Sequence, residues 1–153
     1  MRIAIQLVIL GRAALAAGLG FMIGVEREFR GKAAGDRTFA LLGFGAAALV
    51  AVAAELLTPD GTSRAIQGVA TGVGFLGAGL IFRRSPRDVR GLTTAASGWA
   101  VTGVAVIAGV GAYLAAIGGA LFIVLVLEID RIPLFSRLPQ HHPSDDGSAS
   151  PES

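Results

Sequence analysis

The stretch Gly72–Phe82 reads GVGFLGAGLIF, and its interpretation decides what kind of protein this is. The spacing Gly72-x-Gly74-x-x-Gly77 matches the phosphate-binding turn of a dinucleotide-binding fold, in which backbone amides hold a pyrophosphate. That turn has to follow a short strand and open a helix in a soluble unit. Here the glycines lie inside one uncharged apolar run, Ala65–Phe82. The stretch therefore predicts a glycine-rich membrane helix and not a nucleotide site.

The whole chain is too apolar for an ordinary soluble domain. Of its 153 residues, 53% are hydrophobic and only 16% are charged, so polar side chains are too few to cover a water-facing surface. Five apolar runs approach the length of about 17 to 25 residues that crosses a bilayer. They are Ile3–Val25, Thr38–Leu57, Ala65–Phe82, Leu92–Gly109 and Ala112–Leu127.

The expected fold is an all-α polytopic membrane helix bundle with five transmembrane helices. Residues 1–130 form this domain, and residues 131–153 form a polar tail that we expect to be disordered because it is rich in Ser, Pro and Asp. Only a glycine-rich turn near Gly109 and Gly111 separates the last two runs. One long re-entrant element is therefore the alternative for that region.

Positive charges gather in alternate connections between the runs. Four basic residues follow the first run and four follow the third, whereas the connection after the second run holds Arg64 alone. Since basic loops stay in the cytoplasm, we expect the N-terminus outside the membrane and the C-terminus in the cytoplasm. These topology anchors, which also sit against anionic lipid, explain the net charge of +2 without a nucleic-acid partner. The chain has no cysteine, which excludes disulfides and thiolate chemistry.

On a helical wheel, the run Ala65–Phe82 separates its residues by size. The bulky side chains fall on one stripe, and small or weakly polar residues fill the rest of the circumference. Because close backbone approach drives helix association in lipid, this pattern predicts a central helix that is contacted on several sides. The bulky stripe comprises Ile66, Val69, Val73, Leu76 and Leu80. The predicted helix-packing glycines are Gly68, Gly72, Gly74, Gly77 and Gly79.

Polar residues inside the runs are the candidates for a solute pathway. Such residues can line a polar cavity, or a hydroxyl can instead bond to a carbonyl of its own helix. Arg12 lies near the middle of the first run, where a cation marks a functional site unless it reaches the outer interface. The acidic residue of the second run, Glu55, is read as isolated. The candidates are Arg12, Gln67, Thr71, Ser97 and Thr102, together with Thr94.

No enzyme, metal site or cofactor is predicted. The runs hold no pair of acidic residues for a hard cation and no serine, histidine and acid set for hydrolysis.

Three stretches carry a resemblance to a known family. They are Gly24-Val25-Glu26-Arg27 with Ala34-Gly35-Asp36-Arg37-Thr38, then Gly72–Gly79, then Val89-Arg90-Gly91-Leu92-Thr93-Thr94-Ala95-Ala96 ending at Trp99. In this order and spacing they resemble the MgtC/SapB family of bacterial membrane proteins, over roughly Leu7 to Leu127.

The resemblance implies an inner-membrane bundle that supports adaptation to low magnesium, with a functional cluster on the cytoplasmic side. Carried over from the family motifs, that cluster would contain Glu26, Arg27, Gly35, Arg37, Thr38, Arg90, Gly91, Thr93 and Thr94. Two departures stand out. Asp36 replaces the family's usual apolar residue, where it could pair with Arg37 or Arg90. The short polar tail differs from the soluble C-terminal domain of the virulence-associated members.

Two functions follow from these observations. The first is a non-enzymatic protein that modulates a membrane partner, or associates with itself, through Glu26, Arg37 and Thr93. The second is a small ion or solute transporter or channel with a pathway lined by glycine and threonine, in which Arg12 is a charge gate. A subunit that only scaffolds a larger complex is a third, weaker reading.

Overall fold

The computed structural model describes residues 2–85 and 88–129. In these segments the chain forms five helices. They are α1 (Ile3–Phe29), α2 (Asp36–Leu56), α3 (Pro59–Leu80), α4 (Leu92–Gly109) and α5 (Tyr113–Glu128). The predicted all-α bundle is confirmed, and α4 and α5 are two helices rather than one re-entrant element. The tail predicted over residues 131–153 lies outside the described residues.

A short antiparallel hairpin joins α3 to α4, where the sequence predicted only an arginine-rich loop. Its strands are β1 (Phe82–Ser85) and β2 (Asp88–Arg90), and Phe82 pairs with Arg90. Gly91 follows the hairpin with a φ of +89°, and a Cβ at this position would collide with the carbonyl oxygen of Leu80. Only glycine fits this left-handed turn, which brings the end of α3 against the start of α4.

Helices α1 and α2 approach each other so closely that their contact requires glycine. A Cβ added at Gly43 of α2 would lie 2.5 Å from the carbonyl oxygen of Ala16, and one at Gly24 of α1 would lie 2.5 Å from the Cα of Asp36. The core beside this contact is fully buried and holds Ile23 and Phe39. Glycines that pack helix against helix are thus found in α1 and α2, and also in α4, where a Cβ at Gly109 would lie 3.0 Å from the carbonyl oxygen of Ala47.

The central helix is α4 and not α3, so the expectation from the sequence is wrong on this point. Helix α4 contacts each of the other four helices, whereas α3 contacts α4 and α2. Only Val69 and Val73 of α3 are buried. Val69 and Val73 of the bulky stripe face the bundle, whereas Leu76 of the same stripe is 55% exposed and the small face is left outside.

The glycines of α3 consequently do not pack against other described helices. A Cβ at any of four of them would meet open space, and one at Gly77 would only touch the Cβ of Ala95 at 3.9 Å. The helix-packing role predicted for the four glycines that face open space is therefore wrong within the described part of this chain. The four are Gly68, Gly72, Gly74 and Gly79.

Three helices of the described segments, α1, α2 and α4, are long and apolar enough to cross a membrane by length and composition. Helix α5 is apolar but shorter. Large apolar side chains also cover the outside of the bundle: Leu41 is 73% exposed and Phe75 is 82% exposed. An apolar exterior of this extent suits contact with lipid and not with water.

The close contact of α1 and α2 predicts that Gly43→Ala destabilises the bundle. The new methyl group would press on the Ala16 carbonyl, and overpacking of this kind costs about 1 to 3 kcal/mol. Gly45→Ala is the matched control, because a Cβ there meets nothing within 4 Å. The control should be neutral or should gain up to about 1 kcal/mol from helix propensity. The free energy of unfolding, measured in mixed micelles, tests both, and equal values for the two variants would contradict the close contact.

Candidate functional site

A cluster of charged and polar side chains joins three helices at one end of the bundle. We call it the Arg27 cluster. It comprises Glu26, Arg27, Arg30, Thr94 and Glu128.

The ionic part of this cluster is centred on Arg30, which follows the last residue of α1. Its Nε forms an ion pair with Oε1 of Glu26, one turn back on α1, and its Nη2 lies 3.4 Å from Oε2 of Glu128 at the end of α5. The Glu26 contact is close but is not aligned as a hydrogen bond. The Glu26 side chain is only 9% exposed, so the ion pair with Arg30 offsets part of the cost of burying its carboxylate. Glu26 and Arg30 are four residues apart, the spacing at which opposite charges pair along a helix.

Arg27 is the most deeply buried member of the cluster, with 2% of its surface exposed. Its Nη2 donates a hydrogen bond of 3.0 Å to Oγ1 of Thr94 in α4. No hydrogen-bond acceptor is within reach of its Nε, and no described carboxylate forms an ion pair with it. Since a buried charge is expensive unless it is hydrogen-bonded or paired, the Thr94 hydroxyl is a major support for this guanidinium.

The other residues carried over from the family motifs lie apart from this cluster. Arg37, Thr38 and Thr93 are exposed, and no hydrogen bond or ion pair joins Arg37 to Glu26 or Thr93. The backbone N–H of Arg37 donates to Oδ1 of Asp36 at 2.6 Å, so this carboxylate supports the first turn of α2.

Two further motif residues shape the backbone. Gly35 precedes the first residue of α2, and Gly91 forms the turn before α4. Arg90 is exposed at the end of β2. Of the nine residues predicted from the family motifs, the structure thus brings Glu26, Arg27 and Thr94 into the Arg27 cluster.

The predicted solute pathway is divided between two places. Gln67 and Thr71 are exposed on α3, whereas Thr94, Ser97 and Thr102 are buried on α4. Of the two possibilities that the sequence left open, these contacts favour packing over a polar cavity. The hydroxyls bond to carbonyls of their own helices: Thr71 to Gln67 at 2.9 Å, Ser97 to Thr94 at 3.0 Å and Thr102 to Gly98 at 2.9 Å.

Arg12 makes a second polar junction, at the other end of the bundle. Its Nη2 lies 2.8 Å from Oε1 of Glu55, its Nη1 donates to the carbonyl of Gly109 at 2.9 Å, and its Nε donates to the Tyr113 hydroxyl at 3.4 Å. Reading Glu55 as an isolated acid was therefore wrong. The partners stand where α2 and α4 end and α5 begins. This position favours an arginine near the end of the bundle over one in its middle.

Arg30 was absent from the predicted site, and the other cluster member missed by the sequence reading is Glu128. It follows the last apolar run directly, on the side predicted to be cytoplasmic, and this is the one signal that could have linked it with Arg30. Within the described segments, no group of three or more His, Cys, Asp or Glu side chains is placed to hold a metal ion.

Removing the Thr94 hydroxyl should destabilise the bundle. Thr94→Val leaves a buried guanidinium N–H without an acceptor, which costs about 1 to 3 kcal/mol. Thr94→Ser keeps the hydroxyl and should retain most of the stability. Thr93→Val, on the exposed neighbour, is the matched control and should change stability by less than about 0.5 kcal/mol. Unfolding in mixed micelles measures the three variants, and a Thr94→Val protein as stable as the control would disprove the role of this hydrogen bond.

Comparison with known proteins identifies relatives over this same region. The model of the MgtC family matches residues 13–132, which include every member of the Arg27 cluster. No solved structure matches the chain. Among curated proteins, the chain is similar to SrpB of Synechococcus elongatus, with 39% identity over 130 residues that cover 76% of this chain and 71% of SrpB.

Two further relatives are longer than the part they share with this chain. YhiD of Escherichia coli (strain K12), whose name proposes a role as a magnesium transporter, is 42% identical over 125 residues, and the match covers 76% of this chain and 56% of YhiD. The protein MgtC of Salmonella typhimurium is 40% identical over 105 residues, with 69% of this chain and 45% of MgtC covered. The family match and these identities agree with the motifs on which the resemblance rests. The chain belongs to the MgtC family.

Proposed function

We propose that this protein is a non-enzymatic bacterial inner-membrane protein that supports growth at low magnesium by modulating another membrane protein. The observation that carries the proposal is the Arg27 cluster. Its buried hydrogen bond joins two family motifs through Arg27 and Thr94, and its ion pairs join the end of α1 to the end of α5 through Arg30 and Glu128.

The proposed topology has five spans, with the N-terminus outside and the C-terminus in the cytoplasm. If every helix crosses the membrane, the end of α1, the start of α4 and the end of α5 lie on one side. The contacts Arg27 to Thr94 and Arg30 to Glu128 agree with that alternation. The Arg12 contacts with Glu55 and Gly109 agree with it at the opposite end. The basic connections after α1 and α3 then face the cytoplasm.

The chemistry of the cluster suits a conformational role and not a catalytic one. An ion pair and a hydrogen bond that connect separate helices hold only while the helix ends keep their positions. A partner that shifted α5 would separate Glu128 from Arg30 and break the ion pair that joins the end of α5 to the end of α1. Coupling of this kind lets binding at the surface of the bundle change the arrangement of its helices.

Transport is the weaker candidate for this chain. The hydroxyls that would line a pathway bond to their own helices, and Arg12 is engaged by Glu55 and by a helix-end carbonyl. Flux of Mg²⁺ through vesicles that contain the purified protein would reverse this preference.

Glu26→Gln tests the proposal, because it removes the charge that pairs with Arg30 and keeps the size of the side chain. We expect cells that lack their own copy of the protein and carry this variant to grow poorly at limiting magnesium, close to cells without the protein. They should grow normally when magnesium is plentiful. Arg64→Gln, which changes an exposed arginine of α3 outside the cluster, is the control and should support growth fully.

Two further measurements make this result interpretable. Immunoblots of membrane fractions check that both variants reach the level of the parent. Affinity purification from magnesium-starved membranes should recover a partner with the parent and with Arg64→Gln and lose it with Glu26→Gln. Normal growth of the Glu26→Gln cells at limiting magnesium would exclude a functional role for the cluster.

A further inference from the structure

An open groove runs between α2 and α3 on the outside of the bundle. Its volume is about 1210 Å³, and its lining extends along α2 from Arg37 to Leu57. Twenty residues of helix are about 30 Å long, which equals the thickness of a hydrocarbon core. The groove is therefore large enough and long enough to hold the acyl chain of a lipid.

The depth of the groove comes from the glycines of α3. Gly68, Gly72 and Gly79 form part of its lining, and a Cβ at each would meet open space. Leucines of α2, such as Leu41 and Leu49, form the opposite wall and are 73% and 63% exposed. Apart from Arg37 and Thr38, the lining is apolar.

Polar groups occur only at one end of this lining. Arg37 and Thr38 lie in the first turn of α2, where the helix dipole adds partial positive charge. The guanidinium of Arg37 makes no hydrogen bond or ion pair with any described residue, and Asp36 accepts instead from the Arg37 backbone N–H. Arginine binds phosphate oxygens through two parallel N–H donors. This cation, which has no partner among the described residues, thus complements a phosphate attached to acyl chains at the end of the apolar groove.

We propose that the groove binds one anionic phospholipid, with its phosphate on Arg37 and Thr38 and an acyl chain along the glycine face of α3. The occupant is a lipid because a cation at one end of an apolar lining complements a phosphate carried on an acyl chain, whereas a partner helix would not need the charged group at this end. This inference requires only that the bundle lies in a membrane. It does not depend on the Arg27 cluster or on a modulated partner.

The glycine face offers a direct test with a matched control. A Cβ at Gly72 meets nothing within 4 Å and the position is exposed, so the Gly72→Leu variant should fold while its side chain projects into the groove. Gly74→Leu makes the same change on the same helix, also into open space, but Gly74 does not line the groove. The readout is native mass spectrometry of the full chain in mild detergent, titrated with phosphatidylglycerol or phosphatidylethanolamine. We expect the parent and Gly74→Leu to retain one phosphatidylglycerol, and Gly72→Leu to bind it about tenfold more weakly.

The headgroup is tested separately with arginine variants. Arg37→Gln should bind phosphatidylglycerol about tenfold more weakly, down to the level of phosphatidylethanolamine, because the charge-assisted hydrogen bonds are lost. Arg64→Gln, which removes an exposed arginine outside the groove, should bind like the parent. Since Arg37 is exposed and forms no ion pair with a described residue, its variant remains informative even if Gly72→Leu were unstable.

Three results would overturn the proposal. One is equal retention of the two lipids by the parent, and another is equal lipid binding by Gly72→Leu and Gly74→Leu. The third is a parent that is a dimer or a complex with another membrane protein and that Gly72→Leu dissociates without changing bound lipid, because the groove would then hold a helix. Growth at limiting magnesium is a separate readout, so loss of the lipid site and failure of the proposed function can be told apart.

Discussion

The buried guanidinium of Arg27 is the constraint on which the arrangement of the helix ends depends. A cation that is 2% exposed cannot remain without hydrogen bonds, and Thr94 supplies one from α4. This contact fixes the end of α1 against the start of α4. Arg30 extends the same junction to Glu128 at the end of α5. At the opposite end, Arg12 connects α1 to the ends of α2 and α4 through Glu55 and Gly109. Between these two polar junctions the helices pack through apolar and small side chains.

Glycine has two different effects in this bundle. In α1 and α2 it allows backbones to touch, because a Cβ at Gly43 or Gly24 would collide with the neighbouring helix. In α3 the glycines point away from the bundle and leave a groove instead of making a contact. The two groups have similar spacing in the sequence. What separates them is the position of the bulky side chains: Val69 and Val73 of α3 occupy the interface with the bundle, so its small face has no helix to meet.

Much of the fold could be predicted from the sequence, because apolar runs and charged connections report on the bilayer directly. The helices, the separation of α4 from α5, and the pairing of Glu26 with Arg30 follow from such local patterns. The contacts between residues far apart in the sequence do not follow from local patterns. Glu55 appeared isolated because its partner Arg12 is on another helix, and Glu128 had no local signal that it would reach Arg30. The central position of α4 and the outward face of α3 likewise depend on how the helices dock, which the size pattern of a single helix does not determine.

In the proposed topology the Arg27 cluster lies at the cytoplasmic end of the bundle, where a partner could act on it. Because the chain has no cysteine, a single introduced thiol reports the side of the membrane without background. Lys32, just after α1, and Ser63, in the first turns of α3, are both exposed. The most direct measurement is labelling of Lys32→Cys and Ser63→Cys proteins in intact spheroplasts with a membrane-impermeant maleimide. The proposed topology predicts that Ser63→Cys is labelled from outside and that Lys32→Cys is labelled only after the membrane is permeabilised. Labelling of Lys32→Cys in intact spheroplasts would contradict it.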